Sequence, residues 1–332
     1  MNSYERYMGM VRGQSVDFVP RIPLMMHFVA KYAQVTYADF ARDAAVFADA
    51  KIHLARRFGY DLVDLLCDPW RETSAFGGQI TYMEHTIPRC THPLEHDRDF
   101  DSLATPDPAV SERLLTAIEA LRRFHEWGHG RWAITGWVEG PAAEAADLRG
   151  VTNFMLDLLD DEIYANELMS LCVDTAIRYA DAQIDAGADT IGVGDAVVSQ
   201  ISPRTYGQLI FAQEKRLVDA LHEAGALVRL HICGDITPHL PVIAELGVDI
   251  IDCDWQVDLQ HARKVLGRRV TLTGNLDPVH AVMQSTPQRI RAGFRELYQK
   301  VGPPYFVNAG CEIPQDTPIA NLEALCEPIP AA

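Results

Sequence analysis

The sequence predicts an α/β fold, a single (β/α)8 TIM barrel, on three observations. Short apolar runs alternate with longer amphipathic stretches along the chain. Several of the short runs are continuously apolar, as parallel strands covered on both faces are. No Pro/Ser-rich linker or low-complexity tract divides the sequence. With 332 residues, 48% of them hydrophobic, the chain can bury one large core, so residues 1–332 are read as one barrel domain. A doubly wound open sheet would show the same alternation and stays open at this point.

Eight strands are expected, at 21–25, 61–66, 132–136, 190–193, 227–232, 250–253, 270–273 and 305–308. Helices fill many of the gaps. Ser202-Pro203 supplies a cap and a first-turn proline for a helix that Gly225 ends. Thr286-Pro287 starts another, with Ile290, Phe294 and Leu297 on one face. Thr317-Pro318 opens a short final helix. The stretch 69–108 is less regular and reads as a β-hairpin or lid elaboration, with Gly77-Gly78 as a turn and 79–83 as a strand.

The formal net charge of −17 argues against nucleic acid or an anionic membrane as partner, because both would repel the chain. A small molecule or a less acidic protein is expected instead. The first residues carry charges and no apolar signal region, and no stretch is long and apolar enough to span a bilayer. A soluble, cytoplasmic protein is the expectation. The 7 cysteines are scattered and odd in number, which argues against a disulfide framework. Cys67, Cys90, Cys172 and Cys326 sit among apolar residues and read as core.

A barrel enzyme carries its chemistry at the C-terminal ends of the strands. The polar residues there are His27; Asp68; Trp137 and Glu139; Asp195; His231, Cys233 and Asp235; Asp254; Asn275 and Asp277; and Asn308, Cys311 and Glu312. Asp195, Asn275, Asn308 and Trp137 are the candidates for orienting substrate. Hydrogen bonding to loop backbone is the plain alternative for the polar ones.

The sharpest feature is His231-Ile232-Cys233. Side chains i and i+2 of an extended strand share a side, so these two can grip one ion. Gly234 then permits a sharp turn. Cys311 follows the last strand, about three βα units further on, where it can face the pair across the mouth. One imidazole and two thiolates form a zinc-type donor set, and three protein ligands leave a position for substrate. On spacing alone, a buried histidine with two unrelated core cysteines is the favoured alternative.

The segment His231-Ile232-Cys233-Gly234-Asp235, with Gly310-Cys311-Glu312-Ile313-Pro314 and Thr317-Pro318, resembles the methylcobamide:coenzyme M methyltransferases of the uroporphyrinogen decarboxylase-like superfamily. Glu5-Arg6, Arg12-Gly13, Val19-Pro20, Ile201-Ser202-Pro203 and Gly274-Asn275-Leu276-Asp277-Pro278 resemble landmarks of the wider superfamily. The resemblance implies a (β/α)8 barrel in which His231, Cys233 and Cys311 hold zinc and form the catalytic centre. An acid completes the shell when substrate is absent. Asp254 matches that place, where glutamate is expected, and a solvated loop acid is the alternative.

The resemblance also implies a corrinoid-binding partner protein carrying methylcobamide as co-substrate, and a small-molecule methyl donor or acceptor, a thiol in the archetype. Demethylation of a methoxy compound, or a metal-independent decarboxylase or lyase on the same scaffold, are the alternatives. The arginine cluster that porphyrin decarboxylation needs is missing from Arg21-Ile22-Pro23-Leu24-Met25-Met26-His27-Phe28. The Asp-x-His-x-x-Gly motif of corrinoid domains is missing too.

His125-Glu126-Trp127-Gly128-His129 matches the H-E-x-x-H pattern of zinc proteases. Gly128 and Gly130 bracket His129, so the motif reads as a helix end leading into the 132–136 strand, at the barrel end away from the mouth.

Overall fold

The computed structural model describes residues 1–331. Its strands are β1 (Leu62–Asp64), β2 (Ile80–Thr81), β3 (Arg89–Cys90), β4 (Ala133–Glu139), β5 (Thr190–Gly194), β6 (Leu227–His231), β7 (Ile250–Asp252), β8 (Thr271–Thr273) and β9 (Tyr305–Phe306). β2 and β3 form the expected antiparallel hairpin by themselves. The other strands form one parallel sheet in the order β1-β4-β5-β6-β7-β8-β9, each beside its neighbour in sequence. Parallel neighbours need crossovers, and helices supply them: Glu112–Gly128 before β4, Glu162–Asp185 before β5, Phe211–Glu223 before β6, Leu259–Leu266 before β8 and Pro287–Val301 before β9.

The expected first strand, 21–25, is corrected to a single ladder pair, Arg21 with Val307. Pro20 and Pro23 have no N–H to give, which prevents a regular ladder. The segment still bonds both edges of the sheet. Ile22 N–H donates to the Val307 carbonyl at 2.8 Å and Val307 N–H to the Pro20 carbonyl at 2.8 Å. On the other side Asp61 N–H donates to the Arg21 carbonyl at 2.8 Å. Residues 20–22 therefore occupy the eighth position and close the ring between β9 and β1. The buried Asp61 carboxylate reinforces the seam by accepting from the guanidinium groups of Arg6 and Arg21.

The helix signals act as expected, with one difference. The Ser202 hydroxyl caps Thr205 N–H and Gly225 ends the helix at φ +89°, but the run is interrupted by a π-helical segment, Tyr206–Ile210. Thr286 caps the Pro287–Val301 helix. The final helix, Ile319–Leu325, follows Pro318 without a side-chain cap. Among the described residues no helix is long and apolar enough to cross a membrane.

Candidate metal centre

β6 alternates so that Arg229 and His231 point into the barrel, and Cys233 continues the same side beyond the strand. Gly234, at φ +89°, then turns the chain away, and its N–H donates to Asp254 Oδ2 at 3.1 Å. Cys311 arrives from β9 through Asn308-Ala309-Gly310. Gly310 is packed so tightly that an added Cβ would lie 2.3 Å from the Trp255 backbone nitrogen. Only a glycine lets the loops after β7 and β9 touch there. Glu312 ties the far side of this loop to the first barrel segment by accepting from the N–H groups of Met26 and His27 and pairing with the His27 ring.

The three expected ligands meet. His231 Nε2 lies 3.1 Å from Cys233 Sγ and 4.0 Å from Cys311 Sγ, and the two sulfurs are 3.4 Å apart. A tetrahedral zinc ion with bonds of about 2.3 Å to sulfur and 2.0–2.1 Å to nitrogen has S–S edges near 3.8 Å and S–N edges of about 3.5 Å. The three separations bracket those edges, so the donor set fits a zinc ion. No other cluster of three His, Cys, Asp or Glu donors is gathered this way among the described residues.

Beneath the triad lies a layer that the sequence reading overlooked. His231 Nδ1 is 3.0 Å from Asp252 Oδ2. Asp252 is fully buried, and Arg229 Nε and the Thr273 hydroxyl also donate to its carboxylate. Burial alone would raise the Asp252 pKa, but Arg229 and His231 hold it down at about 2. Burial opposes a charged imidazole, yet Asp252 and Cys311 lift His231 to about 9. The contact between the two sulfurs, with His231, outweighs burial and lowers Cys311 to about 5, while the same contact and burial raise Cys233. Metal ligation needs thiolates and a neutral imidazole, so uptake of a cation by this set releases protons.

The remaining candidates divide. Trp137 does reach the centre. Its ring centroid is 6.0 Å from that of His231, and its Nε1–H donates to Glu139 Oε1 at 3.3 Å. Asp195 is fully buried, and its two oxygens accept from Ala142 and Ala143 N–H at the start of the Pro141–Arg149 helix. Asn308 is fully buried, accepting from Leu24 N–H and donating to Thr273. In both, the side chain is engaged by the protein itself, as the backbone-bonding alternative expects. Asn275 uses its amide to donate to the carbonyls of Asp254 and Val257. Asp254 accepts from Gly234 and Gln256 N–H, and its oxygens stand outside the triad's cluster.

The H-E-x-x-H motif ends a helix. Glu112–Gly128 carries His125 in its last turn, with His129 just beyond, and leads to the N-terminal end of β4, away from the triad.

A family model described as uroporphyrinogen decarboxylase (URO-D) matches residues 2–330. The chain belongs to the URO-D family. This family member is 27% identical over 335 residues to methylcobamide:CoM methyltransferase MtbA of Methanosarcina mazei, a match covering 97% of this chain and 96% of that protein. It is 29% identical over 282 residues to a uroporphyrinogen decarboxylase of Thioalkalivibrio sulfidiphilus, covering 81% of this chain and 78% of that one. Its fold matches a methyltransferase from Methanosarcina mazei with a TM-score of 0.89 and 23% identity, over 98% of this chain and 97% of the other. The URO-D chain is therefore an enzyme-family member with both methyltransferase and decarboxylase relatives.

Proposed function

We propose that this protein is a zinc-dependent methyltransferase acting in the cytoplasm. It moves a methyl group between a corrinoid on a partner protein and a small molecule, in the first instance a thiol. The observation that carries this reading is the meeting of His231, Cys233 and Cys311 with donor separations suited to one tetrahedral ion. Zinc held there by three ligands would supply an open position at which a thiol's pKa falls towards neutrality.

The chain's own residues prepare that position. The two cysteine thiolates offset most of the dication's charge, so a sulfur placed beside them keeps its nucleophilicity. Asp252 holds the His231 ring so that Nε2 faces the sulfurs. Asp254, which accepts from the amide next to Cys233, is the acid this reading assigns to completing the shell when no substrate is present, by a movement of its side chain towards the triad. In the transfer a sulfur–carbon bond forms, the cobalt–carbon bond breaks with its electron pair left on cobalt, and the thiol proton goes to solvent. In this reading the corrinoid comes on another protein, as the likeness to methylcobamide:CoM methyltransferases suggests.

Porphyrin decarboxylation is less well supported. Arg21 is the only arginine of the 21–28 segment, and its guanidinium is taken up by Asp61 and the Cys326 carbonyl. Nothing there is left to hold propionates.

Metal analysis of the freshly purified protein tests the proposal. About one zinc per chain is expected, lost in His231→Ala and Cys233→Ser, together with conversion of methylcobalamin to demethylated cobalamin by thiols, followed by its spectrum. Absence of any spectral change with every thiol and methoxy donor tried overturns it.

A further inference from the structure

The chain has 5 tryptophans, and all but one are packed. Trp70 and Trp132 donate their indole N–H groups to the carbonyls of Pro88 and Tyr60, and Trp137 donates to Glu139. Trp127 lies against Trp132, with ring centroids 4.4 Å apart. Trp255 differs. It is 49% exposed, and no other Phe, Tyr or Trp is exposed among the described residues. Its indole makes no hydrogen bond or ring contact among those residues. A single exposed apolar side chain is ordinary on a protein surface, so its place decides what it means.

That place is a turn held between the two cysteine loops. Val257 N–H donates to the Asp254 carbonyl at 3.0 Å and closes the turn. The Asp254 carboxylate accepts from Gln256 N–H within the turn and from Gly234 N–H, next to Cys233. Asn275 donates to the carbonyls of Asp254 and Val257 at 3.0 and 2.6 Å. From the other side Gly310, next to Cys311, packs on the turn so closely that a Cβ would lie 2.3 Å from the Trp255 nitrogen. The backbone of Trp255 is thus fixed against the neighbours of both sulfur ligands, while its ring stands in solvent at the rim of the mouth. A fixed backbone leaves little ordering cost when the ring is covered. A small thiol seated at the metal would leave an indole of this size mostly uncovered. A broad, flat ligand arriving from outside would cover it.

We propose that Trp255 is the platform on which the corrin ring of the methyl carrier stacks as it meets the metal centre. The platform rests on the corrinoid reading above. A corrin is a wide and largely apolar macrocycle, which suits an indole face. With methyl on Co(III), the three charges of cobalt exceed those of the corrin and the methyl carbanion by one, so the ring is cationic. An aromatic face attracts a cation. The exposed carboxylates of Asp235 and Asp258, on the same two loops, have the sign that adds to this attraction. When the methyl leaves as a cation equivalent, its bonding pair stays on cobalt and the ring becomes neutral. The platform therefore favours the methylated carrier over the demethylated one.

The test uses zinc-loaded protein and free methylcobalamin. Binding is read by equilibrium dialysis without thiol, and methyl transfer to 2-mercaptoethanol is followed separately. Trp255→Ala is expected to weaken methylcobalamin binding about tenfold, the size of one lost stacking contact, with the effect on turnover falling on KM rather than kcat. Zinc content should hold, because it is the backbone of Trp255 that braces the cysteine loops. Trp255→Phe keeps a flat face and should recover most of the binding. Trp255→Leu keeps apolar bulk without the face and should behave as the alanine variant does. Unchanged binding in the alanine variant overturns the platform while leaving the zinc–thiol reading intact, as does a wild type that transfers methyl without Trp255-dependent binding. Equal recovery by leucine and phenylalanine overturns ring stacking in favour of plain apolar contact. Loss of zinc from all three variants assigns Trp255 to holding the loops and also overturns the platform. Binding that depends on Trp255 without methyl transfer to any thiol keeps the platform and overturns the methyltransferase reading. Neither binding nor transfer by the wild type overturns both.

Discussion

His231 Nδ1 lies 3.0 Å from Asp252 Oδ2, across the β6–β7 pair in which the two residues are register partners. That contact fixes which ring nitrogen carries hydrogen, and it leaves Nε2 as the donor that faces Cys233 and Cys311. Arg229 holds the other side of the carboxylate, so the ring's orientation is built into the strand order.

Removing this support should weaken metal binding without removing a ligand. Asp252→Ala is expected to lower zinc affinity by about 10–100-fold, the usual effect of losing a carboxylate behind a metal-bound histidine. It also leaves Arg229 buried without its partner, so stability falls as well. Asp252→Asn keeps the shape and one acceptor, and should recover part of the affinity. Chelator competition measures the affinity, and a denaturant titration keeps the two effects apart. Unchanged affinity in the alanine variant would show that the histidine is held by packing alone.

The cysteines allow an internal control. Cys311→Ser removes a donor from the triad, whereas Cys253→Ser alters a thiol that is fully buried in the core. Zinc content should drop sharply in the first and stay near the wild-type level in the second. The second should instead lose about 1–3 kcal/mol of stability from burying a hydroxyl in apolar surroundings. Equal zinc loss in both would mean that folding, not ligation, governs the metal content.

Gly310 makes a third case. A methyl group at this position meets the backbone nitrogen of Trp255 at 2.3 Å, so one of the two loops must move. Gly310→Ala is expected to cost about 1–3 kcal/mol, as overpacking usually does. Because Cys311 is the next residue, zinc affinity should fall with it. A crystal structure with Cys311 Sγ still within bonding distance of the metal and wild-type affinity would contradict the coupling.

The legible parts of this molecule were those whose physics is local. The i, i+2 spacing of His231 and Cys233 on a strand, the proline-started helices and the glycine-ended ones all follow from backbone geometry, and they stand where the sequence places them. Cys311 was reached by counting βα units and by resemblance. What stayed hidden depended on partners far away in sequence. Asp252 sits inside an apolar strand and reads as part of it until β6 is laid alongside. Arg229 gave a usable signal, a charge two residues before His231 on the same face. Asp195 and Asn308 could not be told from substrate residues, because strand-end polar groups face the mouth or the loop backbone with equal ease. The 21–25 segment departs from the expected strand because two prolines leave it its position in the ring but not its ladder.

A last prediction concerns pH and a residue remote from the triad. Glu214 is fully buried, and burial holds its pKa at about 7 although the Tyr206 hydroxyl donates to it and favours the charged form. In the unfolded chain a glutamate titrates near 4.3, so between that value and about 7 the folded form binds a proton that the unfolded form has released. A raised folded pKa gives stability that is fully present below the unfolded value and is lost as pH rises through the folded one. Stability should therefore decline from about pH 4.5 to pH 7.5, with Glu214 accounting for at most about 4 kcal/mol of it. Glu214→Gln keeps the shape and the bond to Tyr206 but carries no titrating proton. Urea denaturation midpoints across this range should fall less steeply for the variant, and the two proteins should differ most above pH 7. Parallel curves for the two would mean that Glu214 is already ionised in the folded protein, with its charge stabilised by something other than Tyr206.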